Sequence, residues 1–154
     1  MLKKILVPLD GSPLAEKALP YAETFAQTFG GELILVWVLQ QPMVMPVDHG
    51  GVAVVPLEAM MEQAEKSANE YLGQLEEKYR QKNISTRVAV LKSQTVAEAI
   101  IDLATQEKVD VIVKTTHGRS GLSRWLFGNV ALKVLQGAPC PVFLVRISEE
   151  DQAE

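Results

Sequence analysis

Cysteine occurs once, at Cys140, so no disulfide can close within the chain. It lies between Pro139 and Pro141 and reads as a small buried apolar residue, not a reactive thiol. Histidine is nearly as scarce: His49 and His117 stand alone, and no His/Cys/Asp grouping has metal-ligand spacing. Lysine and arginine number 15 against 19 acidic residues, giving a net charge of −4. No basic run is long enough to mark a nucleic-acid or membrane surface, so neither partner is expected. No apolar run approaches the ~18 residues of a membrane span. "MLKKILVPLDG" opens with two lysines, but its apolar stretch stops at Asp10, too short for the core of a signal peptide. These absences point to a small soluble protein of the cytoplasm. At 154 residues it is expected to form one domain over 1–147, with an acidic tail at 148–154.

What is present is a regular alternation of strands and helices. "KKILVPL" (3–9) is a short β-branched and leucine run that ends at Asp10-Gly11. Ser12 is placed to cap a helix and Pro13 to begin it. Apolar residues from Ala15 to Phe29 recur at three- and four-residue spacing, which predicts one helix over 13–29 stopped by Gly30-Gly31. "ELILVWVL" (32–39) has the unbroken apolar character of a strand buried on both faces. Prolines and paired glycines break the pattern over 40–56, predicting a long flexible loop. A long amphipathic helix follows from Leu57 to Tyr79, with its methionines read as core filler. "STRVAVL" (85–91) is a third strand, and Thr95 with Glu98 is a capping-box pair opening a helix to about Glu107. "VDVIVKTT" (109–116) is a fourth strand. A helix reaching about Gln136 and a fifth strand, "PVFLVRI" (141–147), complete the series. Strict alternation implies a parallel sheet covered on both faces. Ligands of such sheets bind beyond the carboxyl ends of the strands. Two loops lie there: "PLDGS" after the first strand and "THGRSG" after the fourth.

The familiar phosphate motifs are missing from both loops. No glycine in 118–128 is followed by the lysine of a Walker loop, and no G-x-G-x-x-G follows the first strand. A receiver-type phosphorylation site needs an aspartate ending the third strand, where Lys92 and Ser93 stand. Asp10, Ser12, His117, Ser120 and Ser123 have spacing compatible with a triad, but no G-x-S-x-G elbow presents a nucleophile. No catalytic constellation emerges, and slow nucleotide hydrolysis is the most that the residues allow. Binding remains. Gly118 and Gly121 permit close backbone approach, and Gly128 and Asn129 stand at the start of the last helix, where open N–H groups attract anions. Arg119 and Arg124 add charge. The same glycines also suit a tight strand-to-helix turn with no ligand.

"ILVPLDGSPLAEKAL" together with "THGRSGLSRWLFGNVALKVLQGAPCPVFLV" closely resembles the universal stress protein family, and the resemblance runs along nearly the whole chain. It implies a Rossmann-like three-layer sandwich of strand order 3-2-1-4-5, and a homodimer paired through the last strand, 141–147. ATP-binding members carry a signature of Gly, two residues, Gly, nine residues, then Gly followed by Ser or Thr. In this sequence the signature falls on Thr115, Gly118, Gly128 and Asn129. The two later glycines match, whereas Thr115 replaces a glycine and Asn129 a hydroxyl residue. Lys114 stands where binders usually carry an apolar residue, and a Lys114–Asp10 pair filling part of the pocket is one expectation. The resemblance implies that adenine nucleotide, with Mg²⁺ entering only with it, would meet Pro8, Leu9, Asp10 and Val38. Thr115, Gly118, Gly128, Asn129 and Val130 would surround ribose and phosphates, with Arg119 and Ser120 nearby. The altered signature equally suits a stress protein that binds no nucleotide and acts through protein contacts.

Overall fold

The computed structural model describes residues 1–41, 57–116, 128–148 and 150. Five strands form one parallel sheet: β1 (Lys4–Leu9), β2 (Glu32–Gln40), β3 (Thr86–Ser93), β4 (Val111–Thr115) and β5 (Val142–Val145). Their spatial order is β3-β2-β1-β4-β5. The order reverses at β1, so β1 and β4 diverge there and leave a crevice at their carboxyl ends.

Among the described residues five helices cover the two faces: α1 (Pro13–Glu16), α2 (Leu19–Phe29), α3 (Leu57–Gln81), α4 (Val96–Gln106) and α5 (Asn129–Gly137). Alternate residues of each strand point to opposite faces. Ile5, Val7 and Leu9 of β1 pack with Leu33 and Leu35 against Ala18, Ala22 and Ala26, and against Leu72 and Tyr79 of α3. Leu6, Ile34, Val36, Val38 and Ile112 form the second core with Ala97, Ile100, Ala104 and Val134 of α4 and α5. Most of these side chains are sealed from water, so the central strands have no solvated face. That explains their unbroken apolar sequence.

The helix expected over 13–29 is two helices. Pro20 has no N–H to give the Glu16 carbonyl, and the chain breaks its α-pattern one turn earlier. Lys17 N donates to Leu14 O and Ala18 N to Ala15 O, both at 3.2 Å, before α2 restarts. Ser12 caps α1 as expected, its hydroxyl accepting from Ala15 N at 3.1 Å. Gly30 ends α2 in the left-handed region at φ 59°. The capping box at Thr95 forms differently. Thr95 Oγ1 bonds the Glu98 carboxylate at 2.7 Å, and Ser93 Oγ takes the Thr95 N–H at 3.1 Å. Cys140 is half-buried against the second core, with its thiol pushed up mainly by burial.

Charged groups gather at the amino ends of the strands, away from the crevice. Asp110 Oδ2 accepts from Lys3 N and Lys4 N at 2.8 Å each, and these bonds hold its carboxyl below the usual range. Arg87 bridges Glu32 and Glu107, each at 2.8 Å.

Candidate functional site

A cleft of about 680 Å³ opens over the carboxyl ends of β1, β2 and β4, a volume suited to a small-molecule ligand. Its walls come from parts of the chain that the topology brings together. β1 and the turn after it supply Pro8, Leu9 and Asp10; β2 supplies Val36, Trp37 and Val38; the starts of α4 and α5 supply Val96, Val130 and Ala131. Lys114 and Thr116 close it from β4, and Met61, Ala64 and Ser67 from α3.

The turn after β1 is built around Asp10 and Gly11. Asp10 Oδ1 accepts the Ser12 N–H at 2.9 Å, tying the carboxylate to the turn that starts α1. Gly11 adopts φ +77°, and a Cβ there would stand 2.5 Å from Trp37 Cη2. The indole therefore lies directly on the turn. Its other side meets Tyr71 edge-on, with centroids 5.5 Å apart, and Tyr71 donates to Glu16 Oε1 at 2.6 Å. Burial, followed by that carboxylate, raises the Tyr71 phenol far above its ordinary value, so it remains a donor. Trp37 is thereby packed between the turn and Tyr71 where it walls the cleft.

The β4 end carries the second half of the site. Thr116 N donates to Val145 O at 3.0 Å, and Gly128 N donates to Thr116 O at 3.0 Å, docking the start of α5 on the strand end. A Cβ on Gly128 would stand 3.3 Å from that same carbonyl, so glycine permits the close approach. Among the described residues no side chain caps α5, whose N-cap is Gly128 itself. The N–H groups of Asn129, Val130 and Ala131 precede the first helical bond, which runs from Leu132 N to Gly128 O. An anion is favoured at such a terminus by these donors and by the helix dipole.

Lys114 is 9% exposed, although it lies beside this cleft. Desolvation lowers its ammonium pKa, opposed by the charge of Asp10. Asp10 acts on Lys114 only through its field: the lysine makes no ion pair among the described residues. The expected Lys114–Asp10 pair is thus a coupling of two charges without a contact ion pair.

Seven of the residues expected at the site, Pro8, Leu9, Asp10, Val38, Gly128, Asn129 and Val130, line this one cleft. Thr115 does not line it. It alternates with Lys114 and Thr116, turns to the other face, and is 1% exposed. Its position is extended strand paired with Val145, so a branched Cβ carries no backbone strain there. Gly118, Arg119 and Ser120 lie outside the described residues, as do His117 and nearly all of the expected loop. Sequence reasoning missed Trp37 and the wall from α3. The only signals available were an aromatic residue near a strand's carboxyl end and a small residue, Ala64, on the apolar stripe of α3. Among the described residues, no group of three or more His, Cys, Asp or Glu side chains is placed to hold a metal ion.

At the carboxyl edge of this doubly wound parallel sheet the described residues thus gather an apolar slot, one ammonium and an open helix start. The model of the universal stress protein family matches residues 1–146, and the chain belongs to that family. A universal stress protein of Thermus aquaticus is 34% identical over 149 residues, covering 95% of this chain and 100% of the relative. YxiE of Bacillus subtilis is 30% identical, with coverage of 95% and 100%. Among solved structures, MJ0577 of Methanocaldococcus jannaschii superposes with a TM-score of 0.82 at 23% identity, over 97% of this chain and 99% of its own. An Arabidopsis thaliana member with AMP bound gives 0.67 at 13% identity, over 97% and 94%. A universal stress protein in complex with cAMP gives 0.61 at 19%, over 96% and 98%. At these identities the solved structures establish the shared fold and nothing finer.

Proposed function

We propose that this protein is an adenine-nucleotide binding protein of stress signalling, acting in the cytoplasm as a homodimer and by binding, not turnover. The observation that carries the nucleotide reading is the pairing, in one cleft, of an apolar slot with an uncapped helix start. Val36, Val38 and Ile100 offer apolar surface for a base, and Asn129 and Val130 offer N–H donors for phosphate. The AMP- and cAMP-bound relatives favour the same ligand class. Mg²⁺ would enter with the nucleotide, because Asp10 is the one carboxylate among the described lining residues.

The test is calorimetric titration of nucleotide-stripped protein with ATP and Mg²⁺, AMP and GTP, with Trp37 fluorescence as a second signal. Saturable binding of the adenine nucleotides in the low micromolar range, about −8 kcal/mol, is expected, with GTP weaker. Absence of heat and of any fluorescence change at millimolar ligand would overturn the reading. The altered positions Thr115 and Asn129 would then favour a stress protein that works through protein contacts.

The two end strands of the sheet support different fates. β3 carries Arg87 and Lys92, each paired to glutamates, and charge of this kind discourages edge-to-edge association. β5 reads Val-Phe-Leu-Val, and Phe143 is exposed beside Tyr21, with ring centroids 5.4 Å apart. Leu132 and Leu135 of α5 are exposed as well. This edge suits a second copy of the chain. Phe143→Glu is expected to weaken a dimer by about 2 kcal/mol, roughly 30-fold in Kd, shifting the mass in sedimentation velocity toward the monomer. An unchanged dimer would place the interface elsewhere.

A further inference from the structure

We infer that the Lys114 ammonium and the first turn of α5 together hold one phosphate group of the ligand, so that the site selects a phosphorylated nucleoside over the bare nucleoside. The inference rests on the nucleotide reading but concerns a residue outside the family signature.

Lys114 shares the face of β4 that carries Ile112 and Thr116, toward α4 and α5. It is more than nine-tenths buried, and its side chain makes neither a hydrogen bond nor an ion pair with any described residue. Every side-chain nitrogen or oxygen sealed from solvent among the described residues has a partner. The ammonium is therefore not sealed, and its remaining exposure opens into the cleft that it lines. The same cleft is lined by Val36 and Val38 of β2, Val96 and Ile100 of α4, and Val130 and Ala131 of α5. β5 runs alongside with Leu144. Among the described residues the charge that Lys114 feels is that of Asp10, just after β1, whose field favours the ammonium and opposes an incoming anion.

An ammonium in such a place lacks the hydrogen bonds that it makes in water, and a bound anion would restore them. The start of α5 makes a phosphate the natural occupant. It is docked on Thr116, two residues along the same strand face, and its first N–H groups lack helical acceptors. An anion in this cleft would have both the cation and these donors among the groups that line it. A merely structural lysine would be expected to have found a carboxylate.

The experiment compares adenosine, AMP and inorganic phosphate on the whole protein and on Lys114→Met. Binding is followed by calorimetry, and Lys114 titration by the ¹³Cε resonance of labelled lysine. AMP is expected to bind about tenfold more tightly than adenosine, the effect of one charge-assisted contact. In Lys114→Met the advantage of AMP over adenosine should shrink to about threefold, the share that the α5 donors supply. Inorganic phosphate should raise the pH midpoint of the Lys114 resonance, because an anion favours the charged form. If adenosine binds but AMP gains nothing over it, or gains equally in the variant, the inference falls and the nucleotide reading stands. If phosphate moves Lys114 while no nucleoside binds, the anion site stands and the nucleotide reading falls. If neither binds, both fall.

Discussion

Gly11→Ala is expected to destabilise the protein by about 2–4 kcal/mol, adding the cost of a left-handed alanine to that of overpacking. The backbone at Gly11 has φ +77°, where any Cβ is strained, and the new carbon would lie 2.5 Å from Trp37 Cη2 and 2.9 Å from Cζ3. An aromatic ring tip sometimes swings aside, but this one is boxed in. Trp37 pairs with Leu9 on β1 and Val90 on β3, and its ring abuts Tyr71, which is held in turn by Glu16. Relief therefore requires the turn after β1 to move, taking Asp10 and the start of α1 with it. Nucleotide affinity should fall along with stability, since that turn forms one side of the cleft. Urea unfolding followed by tryptophan fluorescence checks the first effect and calorimetry the second. Gly73→Ala is the matched control: nothing lies within 4 Å of its added Cβ, and as a mid-helix position it should gain about 0.5–1 kcal/mol. A loss below about 1 kcal/mol at Gly11 would mean that the indole is free to withdraw and is not a fixed wall.

The arrangement of strands and the place of the site were legible because their signals are local. Apolar runs bounded by Asp10-Gly11 and Gly30-Gly31 mark strand and helix ends, and strict alternation leaves little freedom in a parallel sheet. The family resemblance added the strand order, which the structure bears out. Pro20 was visible as a residue that cannot donate, yet the surrounding alanine and phenylalanine spacing outweighed it, and the break at Lys17 was missed. The capping-box pair opens its helix as expected but bonds differently, for another reason. Thr95 and Glu98 stand at the right spacing, but Ser93, two residues upstream, reaches the same N–H first. Facing was the least legible property. In "VDVIVKTT" both faces of the strand are buried, so alternation of polarity, the usual sign of inside and outside, is absent. Nothing in that string says that Lys114 turns toward the cleft and Thr115 away from it. The register with β1 and β5 decides, and register is a long-range property. Trp37 is hidden in the same way inside "ELILVWVL".

Lys114→Met is expected to raise stability at neutral pH by about 1–3 kcal/mol, the range in which apolar replacements of buried charges fall. The lysine stem already packs like a methionine, so the exchange removes a desolvated charge and little volume. Asp10 loses a favourable field but keeps the Ser12 N–H, and it is only half-buried. The gain should depend on pH in a defined direction. Burial depresses the pKa of Lys114 in the folded protein, while in the unfolded chain it stays near 10.4. Below the folded value both states carry the proton and the native state bears the full penalty. Between the two values the native protein sheds its proton while the unfolded chain keeps it, so stability rises with pH across that window. The advantage of the variant should therefore shrink as pH rises past the depressed folded value toward about pH 10. Tyr79, with its phenol pushed up to about 12, stays protonated over that range and is common to both proteins. Thermal unfolding of both proteins at several pH values measures the gap directly. A gap that stays constant would mean that Lys114 does not change its charge over this range, and a negative gap that the ammonium has a native partner. A positive, closing gap, joined to lost selectivity for AMP, would identify a residue that weakens the fold in order to hold a ligand.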